Sequence, residues 1–171
     1  RSTLFPYTTL FRSVRGLRMQ YSAASNIAEK LIAAGNRSAG HMTERAKELL
    51  QAVEILTSRM GEAPKNFSGG MQQRVQISKA LANNPSLLLL DEVTTGLDLS
   101  VQAKVLDLIR QIKARYGISI LLVSHDLAVI RMLADRTVVM LDGKIIESGL
   151  TDQILEDPQH AYTQQLVHSL L

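Results

Sequence analysis

Residues 67–98 read FSGGMQQRVQISKALANNPSLLLLDEVTTGLD, and this stretch decides the fold. Ser68, Gly69 and Gly70 place two glycines, which let backbone approach a ligand closely, directly ahead of a helical pattern from Met71 to Ala82. Helix N-termini attract phosphate, so this turn is a candidate phosphate site. After the breaker Asn83, Asn84 and Pro85, the run Leu87 to Leu90 is short, wholly apolar and flanked by turn residues, as expected of a strand buried on both faces of a parallel sheet. Asp91 and Glu92 emerge at its carboxyl end, where open parallel sheets bind their ligands. A carboxylate pair there suits phosphoryl transfer: one acid holds a magnesium ion, the other orients or deprotonates the attacking water. The next predicted strand, Ile118 to Val123, closes on Ser124, His125 and Asp126, which brings a histidine to the same edge, in reach of a terminal phosphate.

On these residues the chain resembles the ATP-binding cassette (ABC) ATPases. FSGGMQQR is similar to their signature motif, LLLLDE to the Walker B strand with its catalytic glutamate, TTGLD to the D-loop and VSHD to the switch-histidine motif, all in family order. The resemblance implies an α/β, P-loop NTPase-like fold with ATP and Mg2+ as cofactors. It implies Glu92 and His125 as catalytic residues, Asp91 as the metal ligand, and Ser68, Gly69, Gly70, Gln72 and Asp98 as nucleotide-binding residues, with Thr95 to Asp98 at a dimer seam. Members of this family resemble head-to-tail sandwiches in which one subunit's Ser-Gly-Gly turn closes over ATP held by the other's Walker A. The implied partner is therefore a second ABC ATPase subunit, in a homodimer. Met71 stands where the family usually has glutamine, and Val93 where a proline follows the catalytic glutamate. Neither change removes a charged group, but Met71 takes away a polar contact near the nucleotide and Val93 frees the turn after Glu92.

No GxxxxGK[ST] loop occurs in the sequence, although that loop supplies the amides and lysine that hold phosphates. Gln20 does not fit the family's glutamine loop, because no strand pattern leads into it. The chain is thus expected to be the C-terminal part of a cassette, its Walker A half missing. Arg1 to Ser13, RSTLFPYTTLFRS, reads codon for codon as a translated sequencing-library adapter, so it is expected to be foreign, with no packed role, and the native stretch to begin near Val14. Arg1 and Arg12 lie in that segment; without them the net charge falls from +3 to +1, so no clustered basic surface for nucleic acid is expected. A chain of 171 residues, 46% hydrophobic, can bury one aliphatic core. The lack of cysteine excludes disulfides and cysteine-ligated metals and suits a cytoplasmic setting, and no apolar run is long enough to span a bilayer.

The remaining pattern is coarse. Ser22 to Ala34 and Thr43 to Leu56 show helical spacing around a loop at Gly35 to His41, with Thr43 as the expected cap of the second. With the signature helix they make a helical subdomain over residues 14–84. Residues 85–171 are expected to form the Walker B, D-loop and switch-histidine part. Within it Ser100 to Arg115 and Leu127 to Ala134 read as helices, and Arg136 to Leu141 pairs through Asp142-Gly143 with Lys144 to Ser148. Thr151 to Leu155 and Ala161 to Leu171 read as short helices. His41, His160 and His168 have no metal-ligand spacing, and the scattered methionines read as core filling. Arg74 is expected either to face phosphate or to pair with an acid such as Glu62.

Within the family, residues 22–31, 67–77, 96–110 and 147–167 are similar to the ATP-binding subunit of the carbon-phosphorus lyase system for phosphonate breakdown, which implies a lyase core complex as partner. The last two stretches also resemble peptide and nickel importer ATPases, whose partner is a membrane permease. Those importers usually carry Tyr-Pro-His before the signature and alanine ahead of the D-loop Leu-Asp; here Pro64, Lys65, Asn66 and Gly96 stand there, which favours the lyase system. A reading of another class is a truncated, non-catalytic interaction module.

Overall fold

Leu87–Asp91 forms the middle strand, β2, of a three-stranded parallel sheet in the order β1 (Thr8–Arg12), β2, β3 (Ser119–Val123). This computed structural model describes residues 8–12 and 16–169. Parallel neighbours need a crossover, which α4 (Leu99–Tyr116) provides between β2 and β3; Gly117, at φ 59, ends that helix in the left-handed conformation glycine tolerates best. Leu88 and Leu90 are each 1% exposed, whereas Leu87, Leu89 and Asp91 are half-buried. The expectation of a strand buried on both faces is therefore corrected: β2 seals one face only.

A second correction concerns the N-terminal stretch. Thr8–Arg12 does not stand outside the fold but pairs in parallel with β2, Thr8 opposite Leu87 and Arg12 opposite Asp91. Threonine and phenylalanine favour extended backbone, and β2 offers an edge of unpaired amides and carbonyls to any segment that can meet it. The rest of Arg1–Ser13 lies outside the described residues.

Three helices pack on one another beside this sheet: α1 (Ala23–Ala33), α2 (Ala39–Ala52) and α3 (Gly69–Leu81). α2 starts at Ser38 rather than at Thr43. Ser38 accepts from His41 N at 3.3 Å, while the Thr43 hydroxyl, already inside the helix, donates back to Ala39 O at 2.9 Å. It also ends earlier than Leu56, since Glu54 takes φ 58. Arg45 of α2, its side chain 11% exposed, donates to Leu81 O at 3.2 Å and Ala82 O at 3.3 Å, satisfying carbonyls at the C-terminus of α3. Lys79 of α3 donates to Gly16 O at 2.9 Å and Glu29 at 2.8 Å; that bond from Lys79 holds the Glu29 carboxyl below its usual range. Arg74 pairs with an acid, as one of its two expected readings has it, but the acid is Glu54 at 2.8 Å and not Glu62, which Arg59 has taken; it also donates to Val53 O. None of the six methionines is fully buried, and Met132 and Met140 are exposed, so the core is filled by Leu, Ile and Val rather than by methionine.

These elements form one compact unit, which ends at Val123 and so joins the predicted helical stretch to β2, α4 and β3. A second unit begins at Ser124. It contains α5 (Leu127–Leu133), an antiparallel hairpin of β4 (Arg136–Leu141) and β5 (Lys144–Leu150), α6 (Thr151–Glu156) and α7 (Ala161–His168). The Asp142-Gly143 turn has φ 49 and 75, the doubly left-handed geometry expected of that dipeptide in a hairpin. The Glu147 carboxylate accepts from Gln159 N at 2.8 Å and His160 N at 3.1 Å, and His160 Nδ1 accepts from Tyr162 N, capping α7. No helix among the described residues is long and apolar enough to cross a membrane.

The β1–β2 ladder has a measurable consequence. A chain starting at Val14 loses five register positions and bares the edge of β2, and at about 1 kcal/mol net per backbone hydrogen bond it is expected to be less stable by about 2–4 kcal/mol. Urea denaturation of the two chains checks this; equal midpoints and slopes would show that the strand contributes nothing.

Candidate functional site

The Ser-Gly-Gly turn is the N-terminus of α3. Ser68 is its N-cap, with extended backbone (φ −63, ψ 161) and a hydroxyl that accepts from Met71 N at 3.4 Å. The N–H groups of Gly69 and Gly70, which follow, have no hydrogen-bond partner among the described residues, as the first amides of a helix do not. They mark the positive end of a 13-residue helix. The two glycines answer different demands. A Cβ on Gly70 would lie 2.4 Å from Val101 Cγ1, so this position must be glycine for α3 to rest on the start of α4; on Gly69 it would lie an ordinary 3.4 Å from Leu97 Cδ2.

Two side chains brace the turn from behind. Gln72 Nε2 donates to Pro64 O at 3.0 Å and Phe67 O at 3.1 Å. Arg59 lies over the Phe67 ring at 4.7 Å from its centroid and bonds both Glu62 oxygens, at 2.8 and 2.7 Å; its Nη1 is 3.5 Å from Met71 Sδ. The bond from Arg59 holds the Glu62 carboxyl below its usual range. Arg59 belongs to no motif and was not legible in the sequence.

Asp91 ends β2, in register with Arg12 on one side and Val123 on the other. Glu92 then leaves the sheet: its N–H donates to Val123 O at 3.0 Å and its backbone turns left-handed, φ 49. Thr95 closes this turn, its N–H on Glu92 O at 3.3 Å and its hydroxyl on Glu92 Oε2 at 3.2 Å. The sequence marks Thr95 only as the start of the seam segment; its hydroxyl bond to the Glu92 carboxylate is visible only once the turn is known. Asp98 is the N-cap of α4, accepting from Val101 N at 3.0 Å and Ser100 Oγ at 2.8 Å; the Val101 N–H, then the Ser100 hydroxyl, hold its carboxyl below the usual range. No group of three or more His, Cys, Asp or Glu suited to a metal occurs among the described residues. Asp91 is a carboxylate at the end of β2, the oxygen-donor type that Mg2+ takes one or two of.

His125 belongs to the second unit, exposed between Ser124 and Asp126, the N-cap of α5. Ser124 Oγ accepts from Asp126 N at 3.1 Å, and Asp126 Oδ1 accepts from Ala128 N at 2.8 Å and Val129 N at 3.4 Å, starting α5. In the first unit the structure sets the Ser68 turn against Leu97 and Val101 of the Asp98 segment, while Asp91 and Glu92 stand at the end of β2.

Two outcomes follow from this geometry. Gly70→Ala is expected to cost about 1–3 kcal/mol through overpacking against Val101, and Gly69→Ala to change stability by no more than about 0.5 kcal/mol; denaturant unfolding of both decides, and equal effects would contradict the close approach. For Asp98 the sign is that of a depressed carboxyl: its contribution is present above an unfolded value of about 3.9 and is lost as pH falls through the lower folded value. Asp98→Asn keeps a capping oxygen without that titration, so melting temperature should fall less steeply in acid for this variant, and parallel curves would refute it.

Residues 2–95 match the family described as ABC transporter. The chain is 50% identical over 156 residues to PhnK, an Escherichia coli ATP-binding protein named for phosphonates utilization, covering 91% of this chain and 62% of that protein. It is 46% identical over 129 residues to the oligopeptide transport ATP-binding protein OppD of Bacillus subtilis, covering 74% of this chain and 36% of that one. Among solved structures, the ATP-binding cassette MJ0796 in a dimeric post-hydrolysis state with ADP and Pi superposes with a TM-score of 0.71 at 29% identity, over 84% of this chain and 62% of that one. The chain thus spans less than two thirds of the length of these relatives. Together with the Ser-Gly-Gly helix start and the carboxylates at the strand end, these matches give the conclusion: the chain belongs to the ABC transporter family and has the P-loop NTPase fold of its ATP-binding cassettes.

Proposed function

We propose that this chain supplies the signature turn, the Walker B carboxylates and the switch histidine of a cytoplasmic cassette that hydrolyses ATP, as a homodimer, for organic phosphonate breakdown. The observation that carries the reading is the N-terminus of α3, where Ser68 caps the helix and the amides of Gly69 and Gly70 have no partner among the described residues. Such a helix start suits an anionic phosphate. In this reading Ser68, Gly69 and Gly70 of one subunit close on the terminal phosphate of a nucleotide held by the other, with the Asp98 segment at the seam. Asp91 holds Mg2+, which neutralises charge developing on the phosphates when bound. Glu92 orients or deprotonates the attacking water, Thr95 steadies its carboxylate, and His125 donates to the terminal phosphate. Similarity to PhnK supports the phosphonate system, with a lyase core complex as partner. Similarity to OppD supports a second reading, an importer ATPase that works on a permease.

The sequence holds no GxxxxGK[ST] loop, so the chain alone is expected not to turn over ATP. Mixed with an intact subunit whose own Ser-Gly-Gly turn is disabled, it should restore part of the ATPase activity by completing the one site in which the intact subunit provides everything else. Ser68→Arg should abolish this rescue and Glu92→Gln should leave it intact. A chain folded by circular dichroism that gives no rescue, or loses it equally with Glu92→Gln, would overturn the assignment.

A further inference from the structure

We propose that Gln72 is a positioning residue for the Ser-Gly-Gly turn: it acts through the loop before Ser68 instead of touching the nucleotide. The proposal rests on the reading above, in which that turn meets phosphate. Gln72 leaves the first turn of α3 and folds back over the helix start, so that its amide nitrogen donates to Pro64 O at 3.0 Å and Phe67 O at 3.1 Å. An amide nitrogen has two N–H groups, and two carbonyls take both. Pro64 O also accepts from Phe67 N at 3.0 Å, which closes residues 64–67 as a single turn. The Phe67 carbonyl is the peptide group leading into Ser68. Fixing its direction fixes where Ser68 begins, and with it the aim of the Ser68 hydroxyl and the Gly69 and Gly70 amides.

The same loop is gripped on its other side, where Phe67, 6% exposed, lies under the Arg59 guanidinium. The ring sets the loop's depth and Gln72 its rotation. A direct contact from Gln72 Nε2 to a phosphate would forfeit both carbonyl bonds, leaving the Phe67 carbonyl without this donor and Pro64 O with Phe67 N alone. The division of labour is therefore front and back: Ser68, Gly69 and Gly70 face the ligand, and Gln72 holds them to that aim.

The test begins with this chain without nucleotide and continues in the rescue assay. Gln72→Glu keeps the shape but sets a carboxylate against two carbonyls, and Gln72→Met keeps the length without donors. In both, amide exchange at Phe67 and in the 64–71 segment should accelerate roughly tenfold, as loss of two neutral hydrogen bonds implies, while exchange in α4 stays unchanged. In the rescue assay kcat should fall at least fivefold, with KM for ATP within about twofold, since the intact subunit holds the nucleotide. Unchanged exchange in the folded Met variant overturns the proposal, as does a rise in KM with kcat preserved, the mark of a direct nucleotide contact. Accelerated exchange in a chain whose wild type gives no rescue refutes the phosphate reading alone and leaves the loop-locking role standing.

Discussion

The contact of Gly70 with Val101 governs how much of the first unit can exist as it does. With no side chain at Gly70, the first turn of α3 rests directly on the first turn of α4, and a methyl group there would meet Val101 at 2.4 Å. Two helix starts thereby meet, one capped by Ser68 and one by Asp98. Their amide ends are both electropositive, and the two caps treat that charge oppositely. Asp98 answers it within the chain, its Oδ1 accepting from both Val101 N and Ser100 Oγ. Ser68 does not: a neutral hydroxyl takes the Met71 amide, and the Gly69 and Gly70 N–H groups have no hydrogen-bond partner among the described residues.

Burial behind that contact explains why the aim is stable. Val75 and Ile77 of α3 are fully buried, Ser78 donates to Leu49 O and Arg74 O, and Arg45 and Lys79 tie the far end of α3 to the neighbouring helices and the segment at Gly16. A helix enclosed this way cannot rotate without breaking several polar contacts as well as its packing. Its N-terminus, exposed at Ser68 and Gly69, inherits the rigidity of its buried body.

Much of this was legible because it is local. A glycine pair before a helical period, a leucine run ending in acids, and Asp-Gly between apolar runs each describe a few adjacent residues, and α3, β2 and the β4–β5 hairpin appear where those patterns lie. What escaped depends on contacts distant in sequence or on choices between equivalents. Ser38 and Thr43 are both competent caps, and only the packing of α2 decides between them. Arg74 had several acids available, and its choice of Glu54 depends on a residue with φ 58, whose left-handed turn no period announces. Leucines 87 to 90 are identical as letters, yet alternate ones differ in burial because coverage of a sheet face is set by other elements. Thr8–Arg12 shows that an open edge selects for extended backbone whatever was expected of the segment's origin.

The two departures from the family pattern take on physical meaning in the same way. Without a proline, the turn after Glu92 was expected to be loose. Val93 is instead 1% exposed, and burying such a side chain contributes about 1.5–3 kcal/mol, so the apolar group anchors the turn where a ring would have stiffened it. The exchange also frees the residue before it: a proline disfavours helical backbone in its predecessor, and Glu92 here takes φ 49. Thr94 and Thr95 complete the closure, through Leu97 N on Thr94 O at 3.2 Å and Thr95 N on Glu92 O at 3.3 Å. Met71 follows a parallel logic. Its thioether, a soft and weak acceptor, sits 3.5 Å from Arg59 Nη1 while the rest of that guanidinium is committed to Glu62 and the Phe67 ring. The side chain at this position thus becomes part of the brace under the turn.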